Sequence, residues 1–172
     1  MTSPSRSPAP APAPAPAPPP IPRLYRAVFL YIEPLSTLVG ALFAHFQQHR
    51  YLQLTHAASA PAAAAAVPVS TSIVLTQLAN LYLLLCINEA LVLRATADVN
   101  VWTVFLAGLL LADFGHLYSV RLVGGAVYWR FWDWNPIDWG NVGFVYFLAG
   151  VRLMLFARVG FGAAGEVRVK RV

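Results

Sequence analysis

The sequence predicts an all-α, polytopic membrane protein, a bundle of four transmembrane helices preceded by a disordered Pro-rich N-terminal tail. Of the 172 residues, 58% are hydrophobic and only 11% are charged, whereas soluble domains carry about 25% charged residues. Four apolar stretches each approach the roughly 20 residues that a membrane span requires. Ten of the fourteen prolines fall within residues 1–22, and this density of proline excludes helix and sheet there.

The chain therefore divides into three parts. Residues 1–22 form a Pro/Ala-rich tail that we expect to be polyproline-like or disordered. Residues 23–161 form the membrane domain, with predicted spans at 27–46, 73–93, 101–120 and 142–157, and residues 162–172 form a basic C-terminal tail. Because the first apolar run contains Glu33 and Pro34, we expect a retained signal anchor and not a cleaved signal peptide.

The net charge is +5, and the distribution of the basic residues between the two sides of the membrane predicts the orientation of the spans. Four spans put both termini on one side of the membrane, together with Arg6, Arg23, Arg26, Arg94, Arg158, Arg168, Lys170 and Arg171. The opposite side carries Arg50, Arg121 and Arg130. Since basic residues accumulate in the cytosol, we predict that both termini are cytosolic. An endomembrane location, the endoplasmic reticulum first, is expected, and nucleic acid is not an expected partner.

The first span carries an acidic residue next to a proline. Glu33 lies seven residues past Arg26, about 10 Å along a helix and therefore within the hydrocarbon. Pro34 removes a backbone donor and should kink the helix. The hydroxyls of Ser36 and Thr37 are expected to bond the carbonyls that the proline frees.

The connection 47–72 is rich in alanine and carries histidines without suitable companions for a metal. His45 and His49 are four residues apart and His56 follows, a spacing that two ligands on one helix face would have. Since no Cys or acidic residue lies near them, we predict no metal site.

Polar residues continue along the second span. Gln77, Asn80 and Asn88 share one helix face, where amides typically form hydrogen bonds between helices. Glu89 points elsewhere, and we expect it to pair with Arg94 or, across the bundle, with Arg152.

The third and fourth spans combine ionisable residues with glycines. Asp113 and His116 are three residues apart and so are neighbours on one face. The glycine pairs are seven residues apart in each span, a spacing that lets helices approach closely: Gly108, Gly115, Gly143 and Gly150. We expect these two spans to pack through their glycine faces, with Asp113, His116 and Arg152 pointing away. The loop 121–141 holds four of the five tryptophans and reads as an interfacial aromatic belt or as a lid over a pocket.

Four segments, "YRAVFLYIEPLSTLVGA", "NLYLLLCINEALVLRAT", "VWTVFLAGLLLADFGHLYSV" and "WNPIDWGNVGFVYFLAG", resemble an uncharacterised fungal family of small integral membrane proteins with a domain of unknown function. The resemblance covers residues 21–161 and implies a fungal four-helix membrane domain without an assigned activity. A weaker, fold-level analogy links the chain to the sterol-isomerase and sigma-2-receptor group, with no matching motif.

Each span thus carries a group that costs several kcal/mol in lipid unless it is paired or faces a cavity. This pattern predicts a polar interior, in which Glu33 and Asp113 are the candidate acid–base pair and His116 the candidate relay. The other members of the predicted ligand-binding or polar core are Asn88, Glu89, Arg152, Tyr118 and Asn141. The topology puts Glu33 and Asp113 in opposite halves of the membrane, which argues against joint action on one small substrate.

Four functions stay open from sequence. The first is a binder of a sterol, terpenoid or other lipid, and the second a membrane-embedded isomerase or cyclase. The third is a proton-coupled carrier, and the fourth a purely structural polar network. Phosphate-binding glycine loops, CxxC pairs and nucleophile elbows are absent from the sequence, so no cofactor is expected. The expected partners are membrane lipids, a hydrophobic small-molecule ligand and a second copy of the chain in a homo-oligomer.

Overall fold

The computed structural model describes residues 20–161, and most of the predicted Pro-rich tail and all of the C-terminal tail lie outside this range. Within it the chain is helical, without a strand, which confirms the predicted fold class. Four helices are long and apolar enough to cross a membrane. They are α1 (Arg23–Phe46), α3 (Val69–Ala95), α4 (Val99–Val120) and α5 (Pro136–Phe156), and a short helix α2 (Gln48–Thr55) follows α1.

Pro34 shapes the first helix. A π-helical turn, Val28–Ile32, precedes the α-helical segment Glu33–Phe46. The carbonyl of Leu30 lies four residues before Pro34, which has no N–H to give it. The guanidinium of Arg94 takes this role, because its Nη2 donates to the Leu30 carbonyl oxygen at 2.8 Å. Thr37, which was expected to bond a carbonyl freed by the proline, donates from Oγ1 to the carbonyls of Glu33 and Pro34, at 3.1 and 3.0 Å.

The four long helices form two pairs, α1 with α3 and α4 with α5. The pairs meet at the end of the bundle that carries Arg23 and Phe156, called here the terminal end. A continuous apolar core fills that end, with Tyr25, Phe29, Trp102, Leu106 and Leu155 almost fully buried. The α1–α3 contact is close, since a Cβ atom on Gly40 would lie 3.4 Å from the Tyr82 ring.

The predicted glycine contact between the third and fourth spans is wrong. A Cβ atom added to Gly108, Gly115 or Gly150 would meet no other atom within 4 Å, so these faces look outward. Gly143 instead lies under the rings of Trp134 and Trp139. The helices α4 and α5 turn their ionisable faces toward each other because unpaired charges cost far more in lipid than exposed glycines.

Helix α2 covers the opposite end of the bundle, called here the lid end. Gln48 Nε2 donates to the Ser72 carbonyl at 3.4 Å, and Asn135 Nδ2 donates to the Leu54 carbonyl at 2.8 Å. Asn135 also caps α5, since its side-chain oxygen accepts from two backbone N–H groups and its own backbone N–H donates to the Asp138 carboxylate. These contacts fix α2 to α3 and to α5.

Candidate functional site

A cavity of about 490 Å³ lies between the two helix pairs, within the 300–1,000 Å³ that small-molecule sites usually have. Its walls are mostly apolar, with Phe43, Leu85, Leu109, Phe144 and Leu148 among the lining residues. Tyr51 and Leu54 of α2 line it from the lid end. None of the tryptophans of the loop 121–141 lines the cavity, but Pro136, Ile137, Gly140 and Asn141 from the end of the same stretch do, together with α2.

Arg152 lies at the inner end of the cavity and organises three carboxyl groups. Its side chain is fully buried. The guanidinium donates from Nη1 to Asp113 Oδ2 at 2.5 Å, and from Nη2 to Glu33 Oε1. Glu89 Oε1 lies 3.9 Å from Nη2, and the guanidinium carbon lies 5.6 Å from the centre of the Phe29 ring. These four ionisable residues, Glu33, Glu89, Asp113 and Arg152, are called the Arg152 cluster.

The Arg152 cluster has more carboxyl groups than cations. One guanidinium faces three carboxyl groups, so two negative charges are in excess when all are ionised. Within the part of the chain that the structure describes, Glu33 Oε2 and both Glu89 oxygens have no hydrogen-bond partner. Buried charges require such partners, so these oxygens favour binding of a proton or of a hydrogen-bond donor. Residues 20–161 contain no group of three His, Cys, Asp or Glu side chains suited to a metal ion.

The expected separation of Glu33 and Asp113 in depth is wrong, because both bind the same guanidinium. The reason is geometric. Side chains in a helix lean toward its N-terminus, and α4 and α5 run in opposite directions, so Asp113 and Arg152 lean toward each other. The long arginine side chain then bridges the remaining distance to α1. Of the two expected partners of Glu89, Arg94 and Arg152, the structure shows Arg152, whose Nη2 lies 3.9 Å from Glu89 Oε1.

His116 and Asn141 form a second polar position on the cavity wall. Both line the cavity, and they lie side by side. His116 Nε2 is buried and has no hydrogen-bond partner among the described residues. Asn141 lies in a π-helical turn, Trp139–Phe144, that opens α5. Such turns are frequent at functional sites, and the other π-helical turn directly precedes Glu33.

Two of the predicted polar residues lie away from the cavity. Asn88 is only half-buried and does not line it. Tyr118 is 66% exposed, and its ring is covered by the guanidinium of Arg121 at 3.7 Å. The polar face of α3 is likewise exposed at Gln77 and Asn80, so within the described chain it does not provide the expected contacts between helices.

The cavity also contains polar residues that the sequence did not single out. Tyr51 and Tyr82 line it near the lid. Burial raises the pKa of the Tyr51 phenol, and the adjacent Tyr82 raises it further, so Tyr51 is neutral at physiological pH. No sequence signal marks Tyr51, because it becomes part of the site only when α2 folds over the bundle, where it meets Tyr82 of α3.

The histidines of the first connection have neighbours other than a metal. His49 Nε2 lies 3.1 Å from the Pro61 carbonyl oxygen, and His56 Nδ1 lies 2.9 Å from Ser59 Oγ. The ring of His45 packs edge-on against Phe46. Of these contacts, the one from His49 to Pro61 joins α2 to the connection that follows it.

Comparison with known proteins gives one family match. A family described as a domain of unknown function (DUF7704) matches residues 19–163, which include every helix described above. No curated protein and no solved structure matches the chain.

Proposed function

The chain belongs to the DUF7704 family, and we propose that it binds, inside its membrane domain, a hydrophobic molecule whose polar end donates hydrogen bonds. The ligand class is an alcohol, such as a sterol or terpenoid alcohol, or a hydrophobic amine. One observation carries this proposal: an apolar cavity of about 490 Å³ ends at buried acceptor atoms that have no partner among the described residues.

The chemistry of the ligand's polar end follows from the acceptor atoms of the Arg152 cluster that have no donor within the described chain. Arg152 already gives Nη1 and Nη2 to Asp113 and Glu33. Glu33 Oε2 remains free to accept, and it belongs to a residue that lines the cavity. A hydroxyl or an ammonium group satisfies this oxygen, and an ammonium group also offsets the excess negative charge. A carboxylate ligand would add negative charge and leave Glu33 Oε2 unsatisfied.

The remaining walls fit the apolar body of such a ligand. Leucine, valine and phenylalanine side chains surround the middle of the cavity, and burial of apolar surface contributes roughly 25 cal/mol per Å². His116 and Asn141 offer a second polar contact part-way along the wall. A ligand with one polar end and a rigid or extended apolar body matches this arrangement.

The test uses the purified full chain in detergent and a matched series of probes. Oleyl alcohol, oleylamine and oleic acid share one chain and differ in the polar end, and ergosterol adds a rigid body. We expect the alcohol, the amine or the sterol to raise the melting temperature, since ligand at about 100 times its Kd adds roughly 2.7 kcal/mol. Oleic acid should give no rise, and an equal rise with oleic acid would contradict the assignment of the polar end.

Two alanine variants of α4 separate cavity binding from binding to the outer surface. Both alanines are exposed, but Ala112 lines the cavity and Ala107 does not. Ala112→Leu narrows the cavity and should reduce the shift in melting temperature, and Ala107→Leu should retain it in full. A reduced shift in both variants, or in neither, would show that the probes act elsewhere.

A membrane-embedded isomerase or cyclase is a second candidate, favoured by one observation. Glu33 and Asp113 reach the same guanidinium and both line the cavity, so a single substrate can contact both. His116 would then relay a proton. Chromatographic separation followed by mass spectrometry of the lipid recovered after incubation tests this function: a new isomer of the same mass identifies an enzyme, and a lipid that binds but is recovered unchanged contradicts catalysis.

We also propose that both ends of the membrane domain face the cytosol and that the protein resides in the endoplasmic reticulum of a fungus. The described Arg23, Arg26, Arg94 and Arg158 support this orientation. Labelling of single introduced cysteines with an impermeant reagent tests it. In intact microsomes, whose outer face is the cytosolic one, Pro20→Cys should react directly, whereas Ala63→Cys should react only after the membrane is opened.

A further inference from the structure

We propose that two copies of the chain pair in the same orientation along one face of α3. This face, called here the α3 seam, consists of Ile73, Gln77, Asn80, Leu84, Ile87 and Leu91. It does not include the residues that line the cavity, so the inference is independent of the proposed ligand.

The spacing of the seam is that of a helix–helix contact. Its successive members are four, three, four, three and four residues apart, which is the alternation of a and d positions in a heptad repeat. A face with this period stays in register with a partner helix over several turns. It extends over most of the length of α3.

The seam is unoccupied by the rest of the described chain. All six of its residues are exposed, with Leu91 63% and Ile73 54% exposed. Helix α3 is also the least covered of the four spans. Only 11% of its most apolar window is buried, against 22% for the third span and 39% for the first and the fourth.

Polar amides within the seam indicate that a protein partner covers it in the membrane. Asn80 lies two residues from Tyr82, the midpoint of α3, and Gln77 lies one turn away. A side-chain amide has two donors and an acceptor, which lipid tails cannot satisfy. An exposed asparagine at the centre of a span therefore calls for hydrogen bonds from another helix.

The partner that fits these amides without further assumption is a second copy. An amide both donates and accepts, so two identical amides at the same depth satisfy each other across a two-fold axis. Copies inserted in the same orientation bring Asn80 opposite Asn80 and Leu84 opposite Leu84. A single asparagine in such a seam is also known to fix the register and the number of helices.

Disulfide crosslinking in proteoliposomes tests this contact. Leu84 lies in the seam, and Leu83 lies next to it on α3, also exposed but turned by about 100°. Both cysteine variants carry Cys86→Ala, which removes the native thiol. We expect an oxidant to convert Leu84→Cys, and not Leu83→Cys, to a covalent dimer of the full chain.

A second variant tests the amide itself. Asn80→Leu leaves an apolar residue facing lipid, which a folded monomer tolerates, and should raise the dimer dissociation constant roughly tenfold in an energy-transfer titration. Thermal melts and helicity verify that the variant is folded. Equal crosslinking at both positions, a monomer at all lipid dilutions, or unchanged affinity of Asn80→Leu would overturn the proposal. A monomer in the purified preparation would leave a different membrane protein as the occupant.

Discussion

Replacing Arg152 by glutamine is the sharpest test of how the bundle is held together. The guanidinium donates to Glu33 and Asp113 and lies 3.9 Å from Glu89. Arg152→Gln removes both charge-assisted hydrogen bonds and leaves three carboxyl groups without a cation. Each such bond contributes about 1.5–3 kcal/mol, and removal of one partner from a buried pair costs about 3–5 kcal/mol. We therefore expect the free energy of unfolding to fall by about 4 kcal/mol.

Titration of the folded protein in mixed micelles with a denaturing detergent, followed by circular dichroism, measures this change. The matched control is Arg130→Gln. Arg130 pairs with Asp133 at 2.6 Å, but both side chains are about half exposed, so its loss should cost at most about 1 kcal/mol. Addition of Glu33→Gln to Arg152→Gln should recover part of the loss, because one fewer carboxyl group then lacks a partner.

The outcome that refutes this reasoning is specific. Suppose Arg152→Gln retains its helicity and unfolds within about 1 kcal/mol of Arg130→Gln. The Arg152 cluster would then be open to water and would not be a buried ionic core. Water would then satisfy the unpartnered oxygens of the cluster, and these oxygens would no longer imply that the ligand carries a donor group.

Three further predictions concern other contacts of the bundle. Glu89→Gln should change the free energy of unfolding by less than about 1 kcal/mol in the same titration, since neither Glu89 oxygen has a hydrogen-bond partner among the described residues, and a larger loss would show that its carboxyl group is needed. Arg94→Gln should lower the free energy of unfolding of the wild type by about 1–2 kcal/mol. The loss should be clearly smaller in Pro34→Ala, where a backbone N–H can bond the Leu30 carbonyl. A double-mutant cycle without coupling between the two positions would argue against this role of Arg94. Gly143→Ala should lower the free energy of unfolding by about 1–3 kcal/mol, because a Cβ atom there would lie 2.8 Å from the Trp134 ring. Gly108→Ala on an open face should melt like the wild type, and equal melting of the two variants would contradict the contact between Gly143 and the tryptophan.

The membrane spans could be read from the sequence because their cause is local. In lipid, a backbone must satisfy its polar groups within its own helix, so a run of about 20 apolar residues is sufficient to identify a span. The same reasoning made Glu33 and Asp113 conspicuous, since a carboxyl group at bilayer depth is costly wherever its partner lies. The loss of a backbone hydrogen bond at Pro34 likewise follows from its missing N–H group, although the compensation by Arg94 does not.

Several features of the candidate site required the folded chain. Glu33 and Asp113 were expected at different depths, yet Arg152 holds both. The glycines were expected at a helix contact, yet Gly108 faces outward. The sequence did not indicate Tyr51, because its helix is held over the cavity by long-range bonds such as those from Gln48 to the Ser72 carbonyl and from Asn135 to the Leu54 carbonyl.

The sequence by itself thus determined the class of fold, the number of spans and the presence of buried charge. Hydropathy and backbone satisfaction are properties of short segments, and they do not depend on neighbouring helices. The tertiary structure alone decided which charges meet, which face of each helix is covered and where the cavity lies. Those features depend on the rotation, tilt and stagger of helices, which are set by packing between residues as far apart in the chain as Glu33 and Arg152.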